Sequence, residues 1–322
     1  MIGRRDFVGM GGALFASSGL AANTNNFSWK NAKPQKSNPG FANIDPKDLR
    51  VMVIGAHPDD ADLTCGCTAM YFAKKGARVK FVSVTNGDKG HLTMTPPELA
   101  RRRKKETELS AKRFGIEEYI VMGAPDCELE PSLEWRKKMI RMIREFSPHI
   151  IFTHRTCDYH ADHRATGQLV MDATYLLVVP NFCPETPEAK VYPAVFFLRD
   201  KFTVPRIMRP DVAVNSAPML DQWAEAVSSH ESQFFEWLPR ENPPCLKANP
   251  GINAPMEVKR EFIKRFWAGR KFVDAKRFNL PFEQAEVFEM SEYGRQLTRE
   301  ELKAIFPEGS FIPEREVVKS KT

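Results

Sequence analysis

At 322 residues, 42% hydrophobic and 27% charged, the chain has the composition of a globular protein and the length of one large domain or two ordinary ones. A net charge of +6 with no arginine-rich arm and no zinc-finger spacing argues against nucleic acid as a partner, and no apolar run reaches the roughly eighteen residues of a membrane span. The cysteines at 65, 67, 127, 157, 183 and 245 show no paired ligand spacing, and Cys65-Gly-Cys67 is too close for a CxxC redox site, so disulfides are neither required nor excluded.

In chain order, the first segment reads as an address rather than as structure. MIGRRDFVGMGGALFASSGLAAN opens on Arg4-Arg5, continues through a short, weakly apolar, glycine-rich stretch, and ends in small residues suited to cleavage after Ala21 or Ala22. With Phe7 it is similar to a twin-arginine signal, although Gly3 and Val8 depart from that pattern. This predicts that residues 1–22 engage the twin-arginine export machinery, that the protein is periplasmic or secreted from a bacterium, and that no stable membrane anchor remains. Loss of Arg4, Arg5 and Asp6, a net +1, leaves a mature charge of +5. Residues 23–48, rich in Asn, Pro and Lys, read as a linker, 49–306 as a single domain and 307–322 as a charged tail.

From Leu49 the pattern is regular. RVMVIGA (50–56) is an apolar run of strand length, residues 61–76 read as a helix stopped at Gly76, and VKFVSVT (79–85) as a second strand. Thr95-Pro96-Pro97-Glu98 offers a capping box with proline in the first turn, opening a helix that runs to Phe114 and stops at Gly115; the basic run Arg101–Lys105 falls on its solvated side. EYIVMG (118–123), a helix over 132–146, HIIFTH (149–154) and a helix over 162–177 complete the alternation. The α/β class follows: a Rossmann-like, mostly parallel sheet with helices on both faces, which collects ligands at the carboxyl ends of its strands. Twelve prolines between Pro180 and Pro255 predict ordered loops over that edge rather than a second domain.

Two polar clusters fall on those strand ends. VIGAHPDD puts His57, Asp59 and Asp60 after the first strand, and TCDYHADHRATG (156–167) puts His160, Asp162 and His163 after the fourth. Taken singly, Asp-Asp after a strand is an ordinary helix cap and a lone His an ordinary surface residue. At one edge of one sheet they supply His, Asp and His with a position left for water, the donor types of a catalytic zinc rather than of a cysteine-rich structural site. His91 reads as a solvent-facing loop histidine, and Phe234, Phe235 and Trp237 as packing or a pocket rim in preference to a platform for a sugar ring.

AHPDDADL together with YHADHR resembles the LmbE-like (PIG-L-like) family of zinc-dependent N-deacetylases. TNGD (85–88), RKKE (103–106), GAPD (123–126), HESQ (230–233) and AEVFEM (285–290) are similar to further elements of that family, in its order, so the resemblance covers residues 49–290. It implies Zn2+ on His57, Asp60 and His163, Asp59 as general base, His160 as oxyanion stabiliser oriented by Asp162, and Arg103 and Asp126 on the wall of the substrate pocket. Asp62 in place of the usual glutamate, Thr64 and Cys67 in place of frequent glycines and Ala161 in place of a common proline depart from the pattern. None removes a ligand or the base, but Asp62 is a methylene shorter and changes the support behind the ligands.

In such an enzyme zinc polarises the amide and lowers the pKa of its bound water to about 7. Asp59 takes a proton from that water and returns it to the leaving amine, and a protonated His160 meets the charge that develops on oxygen. The implied substrate is an N-acetylated sugar or glycoside. The alternatives are a zinc amidase acting on a non-acetyl or non-sugar amide, and a non-catalytic carbohydrate-binding protein on the same fold.

Overall fold

A strand that is apolar on both sides needs cover on both faces, and the first strand of the sheet shows how it is provided. In a computed structural model, which describes residues 41–313, β1 (Arg50–Gly55) directs Val51 and Val53 into one core and Met52 and Ile54 into another. It is followed by α1 (Asp60–Lys74), β2 (Arg78–Thr85), α2 (Pro96–Phe114), β3 (Glu118–Ala124), α3 (Leu133–Phe146), β4 (Ile150–Thr153) and α4 (Ala161–Leu176), the alternation expected from the sequence. Thr95 and Glu98 form the capping box ahead of α2, and Gly115, at φ 70°, ends that helix in the left-handed region.

The proline-rich half adds β5 (Ala194–Phe197), β6 (Val212–Asn215), α5 (Leu220–Val227), α6 (Pro243–Ala248), α7 (Met256–Trp267), α8 (Gly269–Arg277), β7 (Ala285–Met290) and α9 (Arg299–Ile305). It therefore extends the sheet as well as looping over it. The sheet has seven strands in the order β3-β2-β1-β4-β5-β7-β6; β1 to β5 are parallel, and β7 runs antiparallel between β5 and β6. Residues of α1, α2, α5 and α7 fill the core on one face, and residues of α3 and α4 fill the core on the other. Strand order reverses between β1 and β4, so their carboxyl ends border the crevice where doubly wound sheets hold ligands.

Both limits of the expected domain shift. Phe41, placed in the linker by composition, is 3% exposed, donates its N–H to Glu301 Oε1 at 2.9 Å and sets its ring edge-on to His149. At the other end Phe311 exchanges two backbone hydrogen bonds with Ala213, 2.9 and 2.8 Å, so the segment read as the start of a loose tail pairs with the sheet edge. The export segment 1–22 lies outside the described residues. Among the described residues no helix is long and apolar enough to cross a membrane, and all six cysteines are free.

At the amino ends of β1 and β4, His149 Nδ1 accepts the Arg50 N–H at 3.0 Å. Burial, and then the Arg50 charge, lowers its pKa from 6.5 to about 4. Between those values the unfolded chain binds more protons than the fold, so the stability contributed by neutral His149 is complete above pH 6.5 and is lost as the pH falls toward 4. His149→Asn keeps an acceptor for Arg50 without the titration. The urea midpoint of the wild type relative to this variant is expected to fall between pH 7 and pH 4; a difference that stays constant over that range would exclude the effect.

Candidate metal centre

The turn from β1 into α1 is tight because Gly55 has no side chain: a Cβ there would stand 2.6 Å from Asp60 Cβ. The turn folds Asp60 back on the loop, where its Oδ2 accepts the N–H groups of Ala56 and His57 at 2.9 and 2.8 Å. His154, at the end of β4, brings Nε2 to 3.2 Å from the same oxygen. With Oδ2 so occupied, Oδ1 is the oxygen left for a cation, 3.5 Å from His163 Nε2. Burial alone would raise the Asp60 pKa, but His163 and His154 hold the carboxyl well below its usual range.

Carboxylates also fix the two histidines. His57 Nε2 lies 3.1 Å from Asp162 Oδ2 and 3.2 Å from Asp126 Oδ1, which holds its proton on that nitrogen and leaves the Nδ1 lone pair free. His163 Nδ1 lies 3.1 Å from Asp158 Oδ2, leaving Nε2 free. The two free nitrogens are 3.2 Å apart, and His57 Nδ1 is 3.4 Å from Asp60 Oδ2. Ligand bonds of about 2.0–2.2 Å in tetrahedral array give edges of roughly 3.3–3.6 Å, close to the spacings of His57 and His163 from each other and from the Asp60 carboxylate, of which His57 approaches Oδ2 and His163 approaches Oδ1.

The charge balance points the same way. Asp60, Asp126 and Asp162 all lie within 3.4 Å of His57, and carboxylates buried together need protons or a cation between them. Burial opposes protonation of His57 and His163, but their carboxylate partners raise both pKa values, strongly for His57. The close donor groups are His57 with His160 and His163, Asp60 with His154 and His163, and His57 with Asp126 and Asp162, so His57, Asp60 and His163 meet through overlapping groups.

Several expected roles change. Asp162 does not orient His160 through its carboxylate, which is committed to His57 and to the N–H groups of Cys127 and Leu129 at 2.8 and 3.2 Å. Only its backbone N–H reaches His160, donating to Nδ1 at 3.2 Å and making His160 the N-cap of α4. Burial, then His57 and His163, lower the His160 pKa, so the protonated form expected from the sequence is disfavoured. Arg103 and Asp126, like His57 and Asp59, stand outside the walls of the neighbouring cavity. Arg103, 1% exposed, binds Pro58 O at 2.8 Å and Asp59 Oδ2 at 3.2 Å, and Asp126 sits on His57. Asp59 is itself buried; burial raises its pKa, Arg103 opposes the rise and Asp60 adds to it.

His154 and Asp158 carry structural duties that the sequence reading did not assign. Asp158 was visible as the first acid of D-x-H-x-D-H, whereas His154 was absorbed into a strand. The shorter Asp62 is accommodated: its carboxylate takes hydrogen bonds from Ser110 and, at 3.0 Å, from the Tyr119 hydroxyl, with His230 Nε2 at 2.8 Å. The other family-like segments brace the same region. Glu106 accepts from Ser232 N and Oγ at 2.8 and 2.6 Å, Glu286 accepts from the N–H groups of Cys67 and Thr68 at 3.0 and 2.8 Å, and Asp88 accepts from Asp126 N at 3.0 Å.

A cavity of about 590 Å³ opens beside the donors. Asp60, His154, Asp158, His160 and His163 line it together with residues 199–202, Phe266 and Asp274; His57 and Asp59 stand outside its walls. His91 is not free in solvent, since its Nε2 lies 3.1 Å from Glu236. Phe234 and Phe235 are core residues, as expected of packing.

Residues 52–174 match the PIG-L family, described as GlcNAc-PI de-N-acetylase. A diacetylchitobiose deacetylase of Thermococcus kodakarensis is 29% identical over 196 residues, 58% of this chain and 71% of the relative. Among solved structures, N,N′-diacetylchitobiose deacetylase from Pyrococcus horikoshii superposes with a TM-score of 0.60 at 22% identity, covering 75% of this chain and 83% of its own. A 4-carboxy-2-hydroxymuconate hydratase from Pseudomonas putida superposes with a TM-score of 0.58 at 16% identity, over 78% and 98%. One fold thus serves more than one reaction, and the site has to carry the functional argument.

If Asp162 and Asp158 hold the histidine protons, Asp162→Asn and Asp158→Asn should each weaken divalent-ion binding by about 10- to 100-fold while leaving the fold intact. Competition with a chromogenic chelator measures this. Unchanged affinity in both variants would remove their orienting role.

Proposed function

As a member of the PIG-L (LmbE-like) family through residues 52–174, this chain is, we propose, a zinc-dependent hydrolase that removes the N-acetyl group from an amino sugar or an N-acetylglucosamine-type glycoside. The observation that carries the proposal is the convergence of His57 Nδ1 and His163 Nε2, 3.2 Å apart, on the Asp60 carboxylate, 3.4 Å from Oδ2 and 3.5 Å from Oδ1 respectively. Two imidazoles and one carboxylate without thiolate are a catalytic zinc donor set, and the chitobiose deacetylase among the relatives supplies the substrate class. Zinc, when bound, supplies the Lewis acidity that polarises an amide carbonyl and makes water nucleophilic near neutral pH.

The protein's own groups do the rest. Asp59, with its pKa raised by burial and its carboxylate steadied by Arg103, takes the proton of the attacking water and delivers it to the departing nitrogen. His160 acts as a neutral donor: its Nδ1 accepts from Asp162 N–H, so its proton resides on Nε2, available to the oxygen that becomes negative. For the localisation we propose export of the chain through the Arg4-Arg5 segment, a reading that rests on the sequence alone.

Two measurements test these readings. Asp59→Asn should retain zinc and lose about 10²- to 10⁴-fold in acetate release from N-acetylated sugars, the worth of a positioned base. Asp60→Asn should lose zinc first, with activity partly recovered in excess metal. Metal content and acetate release, followed side by side over a zinc titration, separate the two; loss of metal in Asp59→Asn with full metal and rate in Asp60→Asn would invert the assignment. For export, Arg4→Lys with Arg5→Lys should leave the protein in the cytoplasm, and normal secretion of that variant would refute the twin-arginine reading.

A further inference from the structure

The loop that joins β5 to β6 holds large apolar side chains in solvent. Val204 keeps 61% and Ile207 49% of its surface exposed, and Tyr159, whose ring centroid lies 4.9 Å from that of Phe202 in this loop, keeps 67%. Phe202 lines the cavity, so the loop stands at the cavity rim. From Lys201 to Pro210 the sequence KFTVPRIMRP contains three cations and no acid. Lys201 and Arg209 are exposed, and so is Arg164, whose Nη1 donates to the Tyr159 carbonyl at 3.4 Å.

The feet of the loop are tied to the interior, which keeps its apolar tip from folding inward. Phe202 N–H donates to Asp200 Oδ1 at 3.0 Å, and Asp200 is held in a buried pair with Arg155, whose Nη1 lies 3.0 Å from Oδ2. Arg155 Nη2 also donates to the Arg206 carbonyl at 3.1 Å. Met208, 1% exposed, is buried in the core, and Glu289 accepts from Arg209 N at 2.8 Å and pairs with the Arg206 guanidinium. Arg206 faces Glu289 and Glu292, so the outward charge of the rim rests on Lys201, Arg209 and Arg164. A single exposed valine or isoleucine needs no explanation. Two of them with a tyrosine and three cations on one rim have the composition of a surface that enters a bilayer: apolar tips at the acyl boundary, the phenol at headgroup level and cations on anionic lipid. A lipid surface accepts a narrow tip without a shape match, whereas a protein partner needs a complementary cleft.

We propose that Val204, Ile207 and Tyr159, flanked by Lys201, Arg209 and Arg164, form a docking surface for an anionic lipid bilayer, which holds the protein reversibly at a membrane with the cavity rim turned toward the headgroups. This is contact through a loop and is distinct from a membrane span. The surface is independent of the reaction, because lipid binding is read without turnover: loss of the deacetylase reading would leave it standing, and its own failure would leave the deacetylase reading untouched.

The experiment is co-sedimentation of the zinc-loaded full chain with vesicles of equimolar phosphatidylglycerol and phosphatidylcholine, beside vesicles of phosphatidylcholine alone. Binding to the anionic vesicles should be stronger by about tenfold or more and should weaken as sodium chloride is raised from about 0.1 to 1 M. Val204→Asp with Ile207→Asp should weaken it by about tenfold or more while leaving the urea midpoint in solution unchanged, both positions being exposed. Ile207→Trp should keep the binding and gain indole emission that brominated acyl chains quench, beyond the quenching seen in the wild type; if the double aspartate variant fails to fold, this variant decides alone. Equal binding to both vesicles, or none to the anionic ones, would overturn the proposal. So would an Ile207→Trp emission that brominated lipid leaves unquenched. Unchanged binding of the double aspartate variant would place the lipid contact elsewhere on the chain, residues 1–22 included, and would overturn it as well.

Discussion

Four carboxylates, Asp60, Asp126, Asp158 and Asp162, are buried together at one end of the sheet, and the rest of the site is arranged to make that tolerable. A buried carboxylate without partners costs several kcal/mol or gives up its charge. Here backbone N–H groups at strand ends and helix starts supply partners: Ala56 and His57 for Asp60, Cys127 and Leu129 for Asp162, and His160 for Asp158. Such groups are left unpaired where strands stop and helices begin. The acids therefore lie where the fold leaves donors, and the histidines they orient converge between them.

The far half of the chain holds this arrangement still. His230 reaches Asp62 across 168 residues, Ser232 reaches Glu106 across 126, and Glu286 reaches Thr68 across 218. Each contact ties α1 or α2 to a segment that folds later in sequence. A helix start that positions both Asp59 and Asp60 is thereby fastened along its length, and a displacement of α1 would break several buried hydrogen bonds to carboxylates at once. Arg103 acts on the same loop from α2, and Gly87, at φ 66°, keeps the space it needs: a Cβ there would come within 2.5 Å of Arg103 Nη1.

The alternating strands and helices as far as Leu176 were legible because long periodic runs and explicit caps mark them. β5 and β6 were not: four residues each, in a stretch punctuated by proline, show no period to read. The candidate metal donors were legible as residue types at the ends of the first and fourth strands. Directions were not. Spacing puts Asp162 beside His160 in sequence, but a side chain in the first turn of a helix can turn either way, and Asp162 turns to His57 Nε2 and to the N–H groups of Cys127 and Leu129. Arg103 was placed on the second helix and on the wall of the substrate pocket, yet whether a cation on that helix meets substrate or the loop itself depends on depth, which a sequence does not encode. His154 was hidden by its own strand, whose apolar neighbours made it look like the end of a run.

Asp158, Tyr159 and His160 show how little chain the site needs to combine these duties. Asp158 holds the proton of His163, His160 caps α4 with Nδ1 and keeps its own proton on Nε2, and Tyr159 between them faces outward. The close seat of α4 on β4 sets the depth of all three: Gly167 lies so near His154 O that a Cβ would stand 2.5 Å from it. A side chain at 167 would lift the helix from the strand and withdraw His163 and His160 from Asp60 together. The spacing of His163 from Asp60 and the position of His160 are thus set by one helix–strand contact.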